Sequence, residues 1–415
     1  MLLRSKGAMA YGQGGSEFGI ALLDAASVGD AEAVGRLLEE QEESCSSAVA
    51  LALQRACCGP TEGHGGAALL LLEKAPGEEL GTPLELAVRS GHREVVERML
   101  GRIDLRSVTR KAAVARLIAS TGWPEVLAKI PVVSLLERDP LDNMRSALHS
   151  AAAGSDGSLV AVLDRLGPSV DLKGHSDRRG MNILAIASSE GKKDCVKVIL
   201  ERCSRELVTR TDIHGRTALV HACMMGRREI IDMLLERMSD EEVSMKGPYG
   251  NVLHWCRKGT ALRVLHRVLP EALDAEGRDG EQPILNVMEK ETEQSCLALM
   301  DRLTDEQLLP MYSDGSDLLQ MAVMRSFYSA ATVLARRLPL EYLMHEDCSR
   351  RTVLYDLLED EPPGQDDLLE VVKVMVARLP YEELTKRTDG VSIADLAQDH
   401  PELRKAFNPR TKGAM

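Results

Sequence analysis

The chain has 415 residues and a net charge of −13, from 51 Lys and Arg against 64 Asp and Glu, which argues against a nucleic-acid backbone as its main ligand and favours a partner with a basic surface. Its residues are 44% hydrophobic but only 3% aromatic, a composition that speaks against one large core. Thin layers of helices can instead be filled with Ala, Leu, Val and the 18 Met, and a repeat array has no size ceiling of the single-core kind.

Residues 1–16 read as a flexible tail, basic and free of acids up to Glu17. They lack the apolar core of a secretory signal, while a short transit peptide stays open. Gly12-Gln13-Gly14-Gly15 has neither the Lys-Ser/Thr ending nor the preceding strand of a phosphate loop. From 17 to 407 the sequence repeats. Residues 21–38 carry a first copy, and 48–75 a weak one. There Cys57, Cys58 and His64 invite a metal reading. Adjacent thiols diverge on a helix and no second Cys-x-x-Cys follows, so no metal site is expected. A clear copy spans 81–100, another weak one 108–129, and Ser146 opens the next. Later copies begin near Gly180, Gly215, Gly250, Gly280, Gly315, Arg350 and Gly390, in steps of 35, 35, 30, 35, 35 and 40. The spacing predicts about twelve units. The short step belongs to a trimmed unit at 250–265. The long one carries the acidic, proline-bearing stretch 359–367, expected to project as a loop. A final unit with Pro401 and Phe407 is expected to cap the array, and 408–415 to form a tail.

Each unit implies the same physics. A first helix has small residues at its centre, such as Ala87, Ala151, Ala152, Ala187 and Ala222. A Gly such as Gly191 or Gly226 ends it by adopting a left-handed backbone. The second helix is amphipathic, as in Ile230, Ile231, Leu234 and Leu235. Linkers such as Ser239-Asp240-Glu241-Glu242 carry a helix-start signature, so a short extra turn should lead into each loop. Those loops close on Asp-x-x-Gly or Asp-Gly, as at Asp212 to Gly215. No unit buries its apolar face alone, so stacking must supply the core.

The phrases Gly81-Thr82-Pro83-Leu84, Ser146-Ala147-Leu148-His149-Ser150-Ala151-Ala152, Gly215-x-Thr217-Ala218-Leu219 and Asn251-Val252-Leu253-His254 resemble the ankyrin repeat. The resemblance covers roughly 17–407. It departs from the family's pattern where Leu-x-x-Glu-Leu linkers replace the usual Gly-Ala-Asp-Val-Asn ending. It implies an all-α solenoid of stacked helix pairs with projecting loops, binding proteins on a concave face and without chemistry. It also implies that His149 and His254 are structural, bonding loop backbone or their own repeat. A catalytic pairing of His254 with Cys256 is rejected, because residues two apart on a helix do not face each other.

A non-catalytic scaffold or adaptor without cofactor or metal is the function expected, acting as a monomer or as a subunit of a hetero-complex. The positions expected to face the groove are Arg216, His221, Met224, Met225, Tyr249, Trp255, Arg257 and Arg278, since aromatics, Met and Arg are favoured at interfaces. Trp255 as a filler of the trimmed unit is an equal alternative. Two other readings stay open: a permanent subunit of a large assembly, cytosolic or organellar, and a pathogen effector that binds host proteins. No stretch approaches the ~18 apolar residues of a membrane span. An odd number of Cys, nine, placed within helical text, reads as reduced intracellular thiols and a cytoplasmic location.

Overall fold

A computed structural model describes residues 17–40, 46–103, 111–167, 172, 174–346, 352–359, 366–388 and 391–396. Both expected tails, the cap with Pro401 and Phe407, most of the 359–367 insertion, the turn at Asp389-Gly390, and Cys45 and Cys348 lie outside these residues.

The helices come in pairs. In one compact unit, Met1–Leu207, the pairs are Glu17–Val28 with Ala31–Glu40, Ser46–Cys58 with Glu62–Lys74, Gly81–Arg89 with Arg93–Leu100, Lys111–Ser120 with Pro124–Leu127, Ala147–Ala153 with Asp156–Leu166, and Ile183–Glu190 with Lys193–Arg202. In the other, Val208–Met415, they are Ala218–Met224 with Arg228–Leu235, the 3-10 turn Val252–Trp255 with Ala261–Leu265, Pro283–Lys290 with Glu293–Met300, Leu318–Met324 with Tyr328–Arg337, and Val353–Glu359 with Asp366–Arg378. Ile393–Leu396 opens one more. First helices pack on first helices: Ser46–Cys58 touches Glu17–Val28 and Gly81–Arg89. Second helices pack on second helices: Ala261–Leu265 touches Arg228–Leu235 and Glu293–Met300. The fold is an all-α repeat solenoid of two helical layers. The named strands among the described residues are the two-residue antiparallel pair Arg387–Thr388 and Val391–Ser392.

Local chemistry explains the elements. Ala87, Ala151, Ala152, Ala187 and Ala222 are fully buried, so successive first helices approach closely. Gly191 and Gly226 end their helices at φ of 78° and 69°. Ser326 fills the corresponding place at φ 55°, where a side chain costs about 1 kcal/mol. First helices begin on side-chain caps: the Asn182 carboxamide oxygen accepts from the Ala185 N–H at 2.8 Å, and Asp317 from the Gln320 N–H at 2.8 Å. The extra turns before the loops are present at Asp240–Val243, Pro270–Ala272, Glu306–Leu308, Leu340–Leu343 and Tyr381–Thr385. Ser239 and Glu242 cap the first of them reciprocally. The weak text at 48–75 nevertheless folds into two full 13-residue helices. Its Ala-rich first helix lets neighbours approach just as the Thr-Pro-Leu copies do, burying Leu53, Ala56 and Leu71 completely. The unit at 108–129 does shorten, its second helix being Pro124–Leu127.

An arginine near the end of the second helix ties each of several units to the one before. The Arg337 guanidinium donates to the carbonyls of Met300 and Leu303, both at 2.6 Å, and to Asp305 at 2.6 Å. Arg267 donates to Leu235 and Met238 carbonyls at 3.0 and 2.7 Å and pairs with Asp240. Arg302 donates to the carbonyls of Leu265 and Val268, and Arg378 to those of Ala335 and Leu338. Arg102 does the same to Leu72 and Ala75, and Arg165 to Leu127. The last carbonyls of a helix have no partner within it, and these arginines supply one.

Neighbouring arginines test this. Arg336 makes an exposed ion pair with Glu370, whereas Arg337 serves two backbone carbonyls. Arg337→Met should cost about 2–3 kcal/mol, and Arg336→Met at most about 1 kcal/mol, by chemical denaturation. Equal losses would sink the stitching role.

His149 gives a second test. Its ring is fully buried, and Nδ1 sits 3.1 Å from the Ser146 N–H and 2.9 Å from its hydroxyl. Burial pushes its pKa down from the usual 6.5 to about 4. The unfolded chain therefore binds this proton first, and stability falls as pH drops from 6.5 toward 4. By pH 5 the loss amounts to about 2 kcal/mol. NMR titration should find the His149 ring neutral at pH 5; titration near 6.5 would refute this.

Candidate protein-binding surface

Four consecutive loops between repeats are short hairpins. Asp212 N–H donates to the Arg216 carbonyl at 3.0 Å, and Gly247 donates to Gly250, Gly277 to Glu281 and Tyr312 to Ser316 in the following units. The first two fingers are in close contact: a side-chain carbon at Gly215 (φ 75°) would fall 2.4 Å from Pro248, so only glycine fits.

Asp212 organises the first finger. Its side chain is fully buried. One carboxylate oxygen accepts the N–H groups of His214 and Arg216 at 2.8 and 2.9 Å, and the other meets Arg216 Nε at 2.8 Å and His221 Nε2 at 3.1 Å. Burial alone would raise its pKa; the bonds from His221 and Arg216 outweigh that and hold it well below the carboxylate range. Arg216, thus anchored, lies with its guanidinium carbon 5.4 Å from the centre of the Trp255 ring and its Nη1 4.0 Å from the Met224 sulfur. In the next two fingers Arg278 sits 5.1 Å from the centre of the Tyr249 ring and donates to its hydroxyl at 3.2 Å. His214 meets the same tyrosine edge-on at 5.4 Å.

Of the eight expected residues, Arg216 pairs with Trp255 and Arg278 with Tyr249 in cation–aromatic contacts, Met224 meets Arg216 through its sulfur, and Met225 is exposed at 45%. Arg257 is exposed two residues after Trp255. His221 differs from expectation: it is buried, because its ring turns inward to Asp212 and supports the finger from behind. Asp212 and His214 were not expected at the site. The Asp-x-x-Gly turn signal marked the loop, but the nine residues between Asp212 and His221 hid their pairing.

Other residues singled out by sequence have structural neighbours. Cys57 is buried, and Cys58, pointing elsewhere, is exposed. His64 contacts the Thr61 hydroxyl and the Ser27 carbonyl. His254 contacts Asn251 through Nδ1 and the Glu281 carbonyl through Nε2, and Cys256 donates to the Val252 carbonyl at 3.3 Å. Among the described residues no His, Cys, Asp and Glu group is arranged to hold a metal ion. No described helix is long and apolar enough to cross a membrane.

Paired short helices, finger hairpins and extra linker turns define a helical-repeat protein. The model of the family described as ankyrin repeats matches residues 148–246 in three copies, and the chain is built of ankyrin repeats there. Such repeats are protein-interaction modules. No curated protein matches the chain. Among solved structures, the ankyrin repeat domain of Bcl-3, a member of the IkappaB family, is 20% identical with a TM-score of 0.39, over 53% of this chain and 98% of that one. The human ASB11 ankyrin repeat domain is 18% identical at 0.39, over 52% and 96%. A complex of the Bdellovibrio bacteriovorus endopeptidase Bd0816 with immunity protein Bd3460 gives 19% and 0.37, over 46% and 97%.

Asp212→Ala should cost about 3 kcal/mol, since it strands Arg216 and His221. It should also free Arg216 from Trp255 and change indole fluorescence. The depressed Asp212 pKa means its contribution persists at pH 4 and is lost only in stronger acid. A stable Asp212→Ala chain with unaltered fluorescence would contradict the hub.

Proposed function

We propose that the chain is a non-catalytic scaffold or adaptor, cytoplasmic and reducing in setting, that binds proteins on the first-helix layer and finger loops of its repeats. The single observation that carries the reading is the cation–aromatic cluster of Arg216, Met224, Trp255, Tyr249 and Arg278, with Met225 exposed beside it. These side chains are held before any partner arrives, so little ordering entropy is lost on binding. Aromatic and Arg side chains set in place are the kind that dominate interface energies. His221 acts at one remove, by fixing Asp212 and through it Arg216. The seven described cysteines are all free, which supports the reducing setting.

Affinity capture from native lysate tests the reading. Trp255→Ala combined with Arg257→Glu should lower recovery of specific partners at least about tenfold, a change of roughly 1.4 kcal/mol. Recovery unchanged by that pair, in a chain with an intact melting transition, would remove the cluster from the binding site.

A further inference from the structure

The charge of the chain is not spread evenly between its layers. Over 210–228 and 246–258, the fingers and first helices of two consecutive units with the loops that follow them and Arg228 at the start of a second helix, there are seven Lys and Arg and a single acid, Asp212. That acid is buried and already bound to Arg216. The intervening segment 229–245, the second helix and linker turn, holds six acids and one Arg. So a chain of net charge −13 presents a basic strip on one layer. Lys246, Arg257 and Lys258 are exposed, and among the described residues none has a carboxylate within ion-pair distance. The strip also carries apolar surface, with Ile213 at 63% and Met225 at 45% exposure, and Met245 at 42% adjoins it in sequence.

We infer that this strip receives an acidic peptide segment of a partner protein, its carboxylates opposite Lys246, Arg257 and Lys258 and its apolar side chains against Met225 and Trp255. The inference rests on the protein-binding reading above and adds the partner's chemistry. Unpaired surface cations give charge selectivity and faster encounter, while the apolar contacts supply the residence time. A polynucleotide would meet the same cations and rings, but it offers nothing to the exposed Ile and Met side chains, and the chain's overall negative charge opposes it.

The test uses the full chain and three fluorescent probes: a short peptide alternating Glu or Asp with Leu and Phe, the same peptide with Lys and Arg in place of its acids, and a single-stranded RNA oligonucleotide. Anisotropy should show binding of the acidic peptide, weakened by added salt, and little binding of the other two. The triple variant Lys246→Glu, Arg257→Glu and Lys258→Glu should weaken it at least about tenfold. All three positions are exposed, so the fold should hold, as an unchanged melting curve would show; Glu236→Lys on the second helix should leave affinity unchanged. Equal or tighter binding of the basic peptide or the RNA, no binding of the acidic peptide, or indifference to the triple variant overturns the inference. If capture still depends on Trp255 and Arg257 in that event, protein binding stands and only the partner's charge is wrong.

Discussion

The unsatisfied carbonyls at the end of each second helix are the constraint around which the repeats are built. A helix of eight to ten residues, such as Arg228–Leu235 or Tyr328–Arg337, leaves four of its carbonyls without an internal partner. In a long helix this is a minor defect. In a short one it involves about half of the acceptors, and stacking against the next unit removes the water that would otherwise bond them. Arg267, Arg302, Arg337 and Arg378 resolve the conflict by reaching back one unit with a planar fork of donors. The same contact satisfies the carbonyls and fixes the register between neighbouring second helices. Apolar stacking supplies attraction but little direction, so the arginine gives the geometry that burial of Val264, Leu299 or Leu334 does not.

This division of labour leaves the first-helix layer with other means of order. There the hairpin bonds of the fingers and the side-chain caps hold the chain, and the polar hub at Asp212 does so most completely. Four groups converge on that carboxylate, which makes its burial affordable and gives Arg216 one orientation. The surface cluster inherits that order. Trp255 is bounded by an arginine that cannot swing away without leaving a buried charge unpaired. The trimmed unit contributes as well. Replacing a full first helix by the 3-10 turn Val252–Trp255 holds the indole half-exposed against Arg216 of the preceding unit.

Much of the fold was legible because its signals are local. Glycine at a left-handed turn, alanine at a close crossing and Ser-Asp-Glu-Glu before a helical turn each act within a few residues, and their recurrence revealed the period. The arginine stitches recur too: Arg267, Arg302 and Arg337 follow one another at steps of 35. They stayed mute because their partners are backbone carbonyls, which no residue name announces. His221 was placed on the surface for a related reason. Helical position alone does not reveal a carboxylate brought in by the preceding turn. In the stretch 48–75 the absence of family phrases suggested a degraded unit, yet composition sufficed, since Ala48, Ala50, Ala52 and Ala56 provide the same close approach without the motif.

Net charge is a sum over the chain, and its acids are not spread evenly over the structure. Many acids are committed to tasks of the second layer and the linkers: Glu242 caps the turn at Asp240–Val243, and Asp240 and Asp305 brace the stitching arginines Arg267 and Arg337. Acids also gain from lying at helix starts. That demand repeats with every unit, so an array of this length becomes acidic whatever it binds. At physiological salt the screening length is about 8 Å, comparable to the 8–10 Å between packed helix axes. Acids of the second layer are therefore largely screened from a ligand on the first. A ligand bound as proposed on the first layer would meet the local text, Lys246, Arg257 and Lys258, more than the sum over the chain.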